Sequence, residues 1–194
     1  MLCELEVNNI GTYVELITRI DAEQQYRMWF RGQSDYSWGL VPSVQRKDGM
    51  GEHYEQYITT NFMIHTMRLN PSVPQRYDRA SWLTLMQHYG LPTRLLDWSE
   101  SPLVALYFAL SSDEDAKADA AVWVLNPMKL NKKVGYGEYV PPINYDSLSS
   151  DLEGAFSNHD NDNNESQNNY CMSWCRKRLE NVCTTIGFYD SQHF

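Results

Sequence analysis

The chain has 194 residues and a mass of 22.6 kDa, enough for one domain of ordinary size. It is 42% hydrophobic, yet no window approaches the roughly 18 apolar residues that a membrane helix needs. Its formal net charge of −9 repels phosphate backbones, so the charge carries no strong nucleic-acid signal. The composition therefore predicts a soluble globular protein with no membrane partner.

The first residues and the cysteines predict a cytoplasmic location. Residues 1–6 lack the basic start and the apolar stretch of a secretory signal. Three of the four cysteines, Cys171, Cys175 and Cys183, crowd one end of the chain and form no disulfide framework. Together with His193 they match no standard zinc spacing, so we predict no metal site.

Hydrophobic periodicity predicts the first elements. Apolar side chains at helical spacing predict a helix over Thr12–Ile20, and alternation from Tyr26 to Arg31 predicts a strand that runs into Gly32. Three- and four-residue steps then predict a long helix over Tyr54–Leu69. Arg31 is thereby expected at the exit of a strand.

Two helix boundaries carry clear local signals. A helix is predicted from about Asp78 to Tyr89, because Gly90 is placed just past its C-cap and Pro92 follows. Ser101 is placed to cap a further helix whose first residue is Pro102.

The most apolar stretches follow, and the chain then becomes polar. Residues 102–110 are apolar all round, which predicts a helix buried on several sides at the centre of the fold. Ala121–Leu125 is typical of a buried strand. After about Gly135 a run rich in Ser, Asp and Asn cannot bury enough apolar area to offset chain ordering, which predicts disorder there.

The first segment with candidate chemistry is Phe30-Arg31-Gly32-Gln33. Here a guanidinium leaves a strand beside a glycine that lets another backbone or a ligand come close, which suits anion recognition. The alternative is that Arg31 pairs with a carboxylate such as that of Asp97 and only ties two elements together.

The second segment, residues 87–98, mixes polar, aromatic and turn residues between two apolar helices. A helix end and a rigid turn would hold His88, Thr93 and Asp97 on fixed backbone, as a preorganised site requires. Taken singly, His88 is more simply a helix cap and Arg94 a surface charge. As a group, the two segments predict a polar ligand-binding pocket formed by Arg31, Gln33, His88, Thr93 and Asp97. His88 and Asp97 are the candidate catalytic residues.

With these segments the sequence resembles the FRG domain, a family seen mostly in bacteria and phages. The resemblance rests on three blocks in the family's order, Phe30–Gln33, Gln87–Ser99 and Ser101–Ala109. It implies an FRG domain at residues 1–135, with its core match at 12–130, followed over 136–167 by a polar linker or an incomplete remainder of the domain. The implied fold is α+β, a single domain with a small mixed sheet and several packed helices.

The arrangement is distantly similar to ADP-ribosyltransferase folds, and this similarity implies a phosphate-bearing or nucleotide-like ligand. With NAD as the cofactor, Arg31 would bind a phosphate or ribose, and Thr93–Ser99 would form the floor of the site on the nicotinamide side. His88 or Gln33 would orient the substrate. This implies NAD-dependent transferase or glycohydrolase chemistry in intact relatives. The alternative is a non-catalytic module that recognises nucleic acid, protein or a small signal.

The end of the chain departs from the family pattern. FRG domains usually end in a strand resembling Gln-x-Gly-x-Phe-Thr-x-His, which residues 184–193 do not match. Plausible codons read one nucleotide out of phase restore that ending, so we hypothesise a lost reading frame and a non-native tail over residues 168–194. On this hypothesis a late central strand is missing, which predicts a truncated, poorly soluble or partly disordered domain.

Overall fold

A computed structural model describes residues 3–46, 52–111, 118–134, 137–140 and 183–188. These ranges hold nine main elements: β1 Cys3–Val7, α1 Ile10–Glu23, β2 Trp29–Gln33, α2 Glu52–Leu69, α3 Arg79–His88, α4 Pro102–Leu110, β3 Ala120–Leu125, α5 Pro127–Val134 and β4 Cys183–Phe188. A short 3-10 helix spans Ser43–Gln45. The fold class is α+β, as predicted.

Contacts divide the chain into two compact units. The first contains Met1–Gly39, Asp97–Val140 and Asn169–Phe194, and so includes all four strands with α1, α4 and α5. The second contains Leu40–Leu96 and Pro141–Asn168, and so includes α2 and α3.

The sheet of the first unit is mixed. Its strand order is β1-β4-β3-β2, with β1 parallel to β4 and the other neighbours antiparallel. In this register Arg31 of β2 lies directly opposite Trp123 of β3. The predicted small mixed sheet is confirmed.

The expectation that a late central strand is missing is wrong. Cys183–Phe188 forms β4, which lies between β1 and β3 and pairs with both. The segment contains Thr184, Thr185 and Ile186, and such β-branched residues suit a pleated strand in whichever reading frame they arose. The reading-frame hypothesis stays a prediction that the nucleotide sequence of the gene tests.

One face of the sheet carries the main core. Phe30 of β2 and Val122 and Val124 of β3 pack there with side chains of α1 and α4, including the fully buried Tyr13. The Tyr13 hydroxyl donates to the carbonyl of Pro102 at 2.9 Å and so ties α1 to α4. Burial raises the pKa of Tyr13 well above its ordinary value.

Gly32 is required where α4 crosses β2. A Cβ atom at this position would lie 1.9 Å from the carbonyl oxygen of Ala105 and 2.6 Å from the backbone nitrogen of Ala109. The glycine therefore admits another backbone, one of the two uses that the sequence suggested.

The prediction that α4 is buried on several sides is wrong. Ala105, Leu106 and Ala109 are buried against the sheet, whereas Tyr107 is 67% and Phe108 60% exposed. An apolar sequence on all sides of the helix does not predict burial on all sides here, because α4 packs against the sheet along one side only. On that side the small Ala105 and Ala109 allow close approach to β2.

The local boundary signals are confirmed. The Asp78 side chain accepts from the Ser81 N–H at 3.1 Å, and the Ser101 hydroxyl accepts from the Val104 N–H at 3.4 Å. Gly90 adopts a φ of 74° just after α3. β1 was missed because its pairing with β4 depends on a segment distant in sequence, and α5 was missed because it is short.

Several sequence predictions concern other parts of the chain. The polar run at residues 141–182 lies outside the described residues, as do Cys171, Cys175 and His193. No helix within the described ranges is long and apolar enough to cross a bilayer.

Candidate functional site

The second face of the sheet carries Arg31, Gln33 and Trp123. Side chains alternate between faces along a strand, so Arg31 and Gln33 point away from the core face to which Phe30 and Gly32 belong. Trp123 lies directly opposite Arg31 and shares its face. The sheet therefore places a guanidinium, an amide and an indole next to one another.

The Arg31 guanidinium is oriented by the segment that runs along the outer edge of β2. Its Nη1 donates to the carbonyl oxygen of Asp97 at 2.9 Å. Phe30 and Ser99 exchange both backbone hydrogen bonds, at 2.7 and 2.8 Å, and these fix the segment beside the strand. The predicted proximity of Arg31 and Asp97 is therefore present within one unit. Arg31 is partly buried, and Asp97 is exposed.

Gln33 is buried, and both ends of its amide are engaged. Its Oε1 accepts a hydrogen bond from Nε1 of Trp123, and its Nε2 donates to the carbonyl of Gly39 at 3.4 Å. The sequence reasoning missed Trp123, because the apolar run of β3 was taken only as a buried strand. Parity along β3 separates Trp123 from the core residues Val122 and Val124, but only the cross-strand register places it opposite Arg31.

Thr93 belongs to the second unit and is fully buried. Its hydroxyl donates to Oε1 of Gln87 at 2.6 Å, while its N–H donates to the Ser43 hydroxyl at 3.0 Å. Ser43 in turn donates to the Thr93 carbonyl at 3.1 Å. These bonds fix the turn after α3 on the rest of its unit.

Arg94 is not the isolated surface charge that its position suggested. Its Nε donates to Oε2 of Glu55 at 2.6 Å, its Nη2 contacts the same oxygen, and its backbone N–H donates to Oε1 at 2.8 Å. Glu55 is 4% exposed. A carboxylate buried in α2 is satisfied by three donors of one residue, so this ion pair anchors the turn to α2.

His88 also belongs to the second unit, where it is the last residue of α3. Its ring is exposed and makes an edge contact with Tyr89, with centroids 5.5 Å apart. The helix end therefore presents an imidazole to solvent.

A separate groove of about 390 Å³ lies beside β1 and α1 in the first unit. Its charged lining consists of Glu6, Glu15 and Arg19, and none of the five predicted site residues contributes to it. Two carboxylates against one guanidinium do not favour an anion there. Within the described ranges, no cluster of His, Cys, Asp and Glu has the arrangement of a metal site.

Comparison with known proteins gives one match. The family model described as FRG domain matches residues 26–118, just under half of the chain, and confirms the resemblance. The matched span contains all five predicted site residues and ends before Trp123. No curated protein and no solved structure matches the chain significantly.

Proposed function

Residues 26–118 belong to the FRG domain family, and on that premise we propose that the chain binds a phosphate-bearing, nucleotide-like ligand through Arg31. The observation that carries this proposal is the partly buried guanidinium, oriented by the Asp97 carbonyl on the face of the sheet opposite the core face. A planar guanidinium presents several N–H donors in a fixed fork, which matches a phosphate better than an ammonium does. The chain's net charge of −9 makes a local cation the necessary element for anion binding.

The other predicted residues take roles that their environments suit. Thr93, with no accessible surface, positions the turn between α3 and Asp97 and does not contact the ligand. His88 and Asp97, which are exposed, are the side chains we assign to proton transfer in any reaction on that ligand. That His88 in the second unit serves the same ligand as Arg31 stays a prediction.

Thermal unfolding tests the phosphate site directly. Inorganic pyrophosphate and NAD should each raise the melting temperature of the unmodified chain, because a ligand that binds only the folded state stabilises it. Arg31→Ala should abolish both shifts and weaken binding by about 30-fold, the loss expected for a charged hydrogen-bonding partner. Arg31→Lys should recover only part of the affinity, since the fork is lost.

Arg27→Ala is the matched control. Arg27 lies on the same unit, four residues from Arg31, and pairs with Glu100 at 3.0 Å on the surface. It should leave both thermal shifts intact. Equal shifts in the Arg31→Ala and Arg27→Ala proteins would overturn the proposal.

NAD consumption separates an enzyme from a binding module. Release of nicotinamide that depends on Arg31, His88 and Asp97 would identify an ADP-ribosyltransferase or glycohydrolase. Binding without release identifies a non-catalytic module. A double-mutant cycle of Arg31→Ala with His88→Ala tests their shared use, since residues that serve one ligand couple by more than about 0.5 kcal/mol.

A further inference from the structure

Trp123 occupies an unusual position in the buried strand β3. All other residues of β3 are buried, and only Trp123 is partly accessible. Its neighbours on the same face of the strand, Ala121 and Leu125, are 0% and 2% exposed. The partly accessible position of this strand is therefore also the position of its aromatic residue.

The ring is held at its edge. The indole N–H donates to Gln33, whose amide is anchored in turn by the Gly39 carbonyl. Rotation of the indole would break this hydrogen bond and leave a buried amide oxygen unsatisfied, which is costly. The bond therefore engages the ring through its edge and not through a π-face.

A basic residue faces Trp123 across the strand pair. Residues directly opposite in an antiparallel pair have Cβ atoms about 5 Å apart, and Arg31 is opposite Trp123. The two side chains therefore leave the sheet from neighbouring positions, closer together than the length of one nucleoside phosphate. An aromatic face binds any base by stacking, while the fork binds the phosphate.

We propose that Trp123 is the platform on which the base of a nucleoside phosphate stacks while its phosphate binds Arg31, with Gln33 as the positioning residue that orients the indole. This inference rests on the proposed function, because it requires a phosphate at Arg31. It deepens that function by naming the ligand class, a nucleotide with a flat base, and by assigning a residue outside the matched family segment.

Calorimetric titration of the full chain with ADP and with inorganic pyrophosphate tests the inference. ADP should bind about tenfold more tightly than pyrophosphate, the factor that stacking of one base supplies. Trp123→Leu should remove this advantage and leave pyrophosphate affinity within about twofold, since the ring touches only the base. Tyr107→Leu, which removes an exposed aromatic from α4, is the control and should keep the advantage.

Gln33 has its own test. Gln33→Leu should lower the ratio of ADP to pyrophosphate affinity, because the ring loses its anchor. Gln33→Glu restores an acceptor for the indole N–H and should recover the ratio, even though its charge weakens both ligands alike. Loss of overall stability without a change in the ratio would contradict the positioning role.

Fluorescence covers the case in which Trp123→Leu does not fold. ADP should quench tryptophan emission of the unmodified chain more than pyrophosphate does, and Trp123→Phe should abolish that difference. If pyrophosphate fails to bind at all, the proposed function fails. If pyrophosphate binds through Arg31 but ADP binds no more tightly, or its advantage survives in Trp123→Leu, only the stacking inference is overturned.

Discussion

The two faces of the sheet are built from alternate residues of the same strands, yet they meet opposite demands. On the core face, Gly32 admits the backbone of α4, and Phe30 packs with α1 and α4. On the second face, Arg31 and Trp123 stay partly accessible and are oriented by hydrogen bonds. Gly32 therefore serves packing, whereas the adjacent Arg31 lies on the face to which we assign ligand binding.

The largest expected effect belongs to the core face. Gly32→Ala should reduce the free energy of unfolding by about 3 kcal/mol, because the new methyl overlaps the Ala105 carbonyl and α4 must move. Urea unfolding measures the loss. Gly11→Ala is the control, since its Cβ meets only the Asn9 side-chain oxygen at 3.2 Å and should change stability by less than about 1 kcal/mol. Equal effects would contradict the close approach of α4.

A smaller, pH-dependent effect on the free energy of unfolding is expected for Tyr13, which belongs to the same core. Tyr13→Phe should cost about 1 kcal/mol near neutral pH by removing the bond to Pro102. Burial raises the pKa of Tyr13, so above about pH 10 the unfolded chain releases this proton while the folded chain keeps it. The tyrosine's contribution is therefore complete below that pH and falls as pH rises further.

The measurement is the difference in unfolding free energy between the unmodified chain and Tyr13→Phe, followed by urea titration from pH 8 to pH 11. The difference should shrink above about pH 10 by up to 1.4 kcal/mol per pH unit. A difference that stays constant would show that burial does not perturb this phenol.

The smallest stability effect belongs to Arg31 on the second face. Arg31→Met should change the free energy of unfolding by less than about 1 kcal/mol, because water can replace a partly accessible hydrogen bond. Urea unfolding beside Gly32→Ala gives the contrast for adjacent residues. A loss as large as that of Gly32→Ala would identify Arg31 as a packing residue and weaken the case for a ligand site.

The sequence predicted those parts of the fold that local chemistry determines. The Ser101 cap, the glycine after α3 and the strand before Gly32 follow from hydrogen-bonding groups and backbone preferences within a few residues. The position of β4 did not follow, because its pairing with β1 and β3 depends on registers across most of the chain. Similarity to a family ending was a poor guide to whether that segment forms a strand.

The candidate site was predicted to a similar degree. Arg31 and Asp97 were expected together and are joined by a hydrogen bond, because a strand exit and an adjacent edge segment leave little freedom. The burial of Thr93 and the Glu55–Arg94 pair were not foreseen, since a carboxylate 39 positions away in an amphipathic helix shows no local sign of its partner. Trp123 required the cross-strand register, which composition does not contain.

The central position of β4 has a consequence for biosynthesis. β1 is translated before the other three strands of the sheet, but its partner strand follows about 180 positions later, and such distant pairing slows folding. Until residues 183–188 have been translated, β1 has no neighbour in the sheet and β3 exposes one hydrogen-bonding edge. The nascent chain therefore carries unpaired strand edges until that segment is made, and such edges favour aggregation.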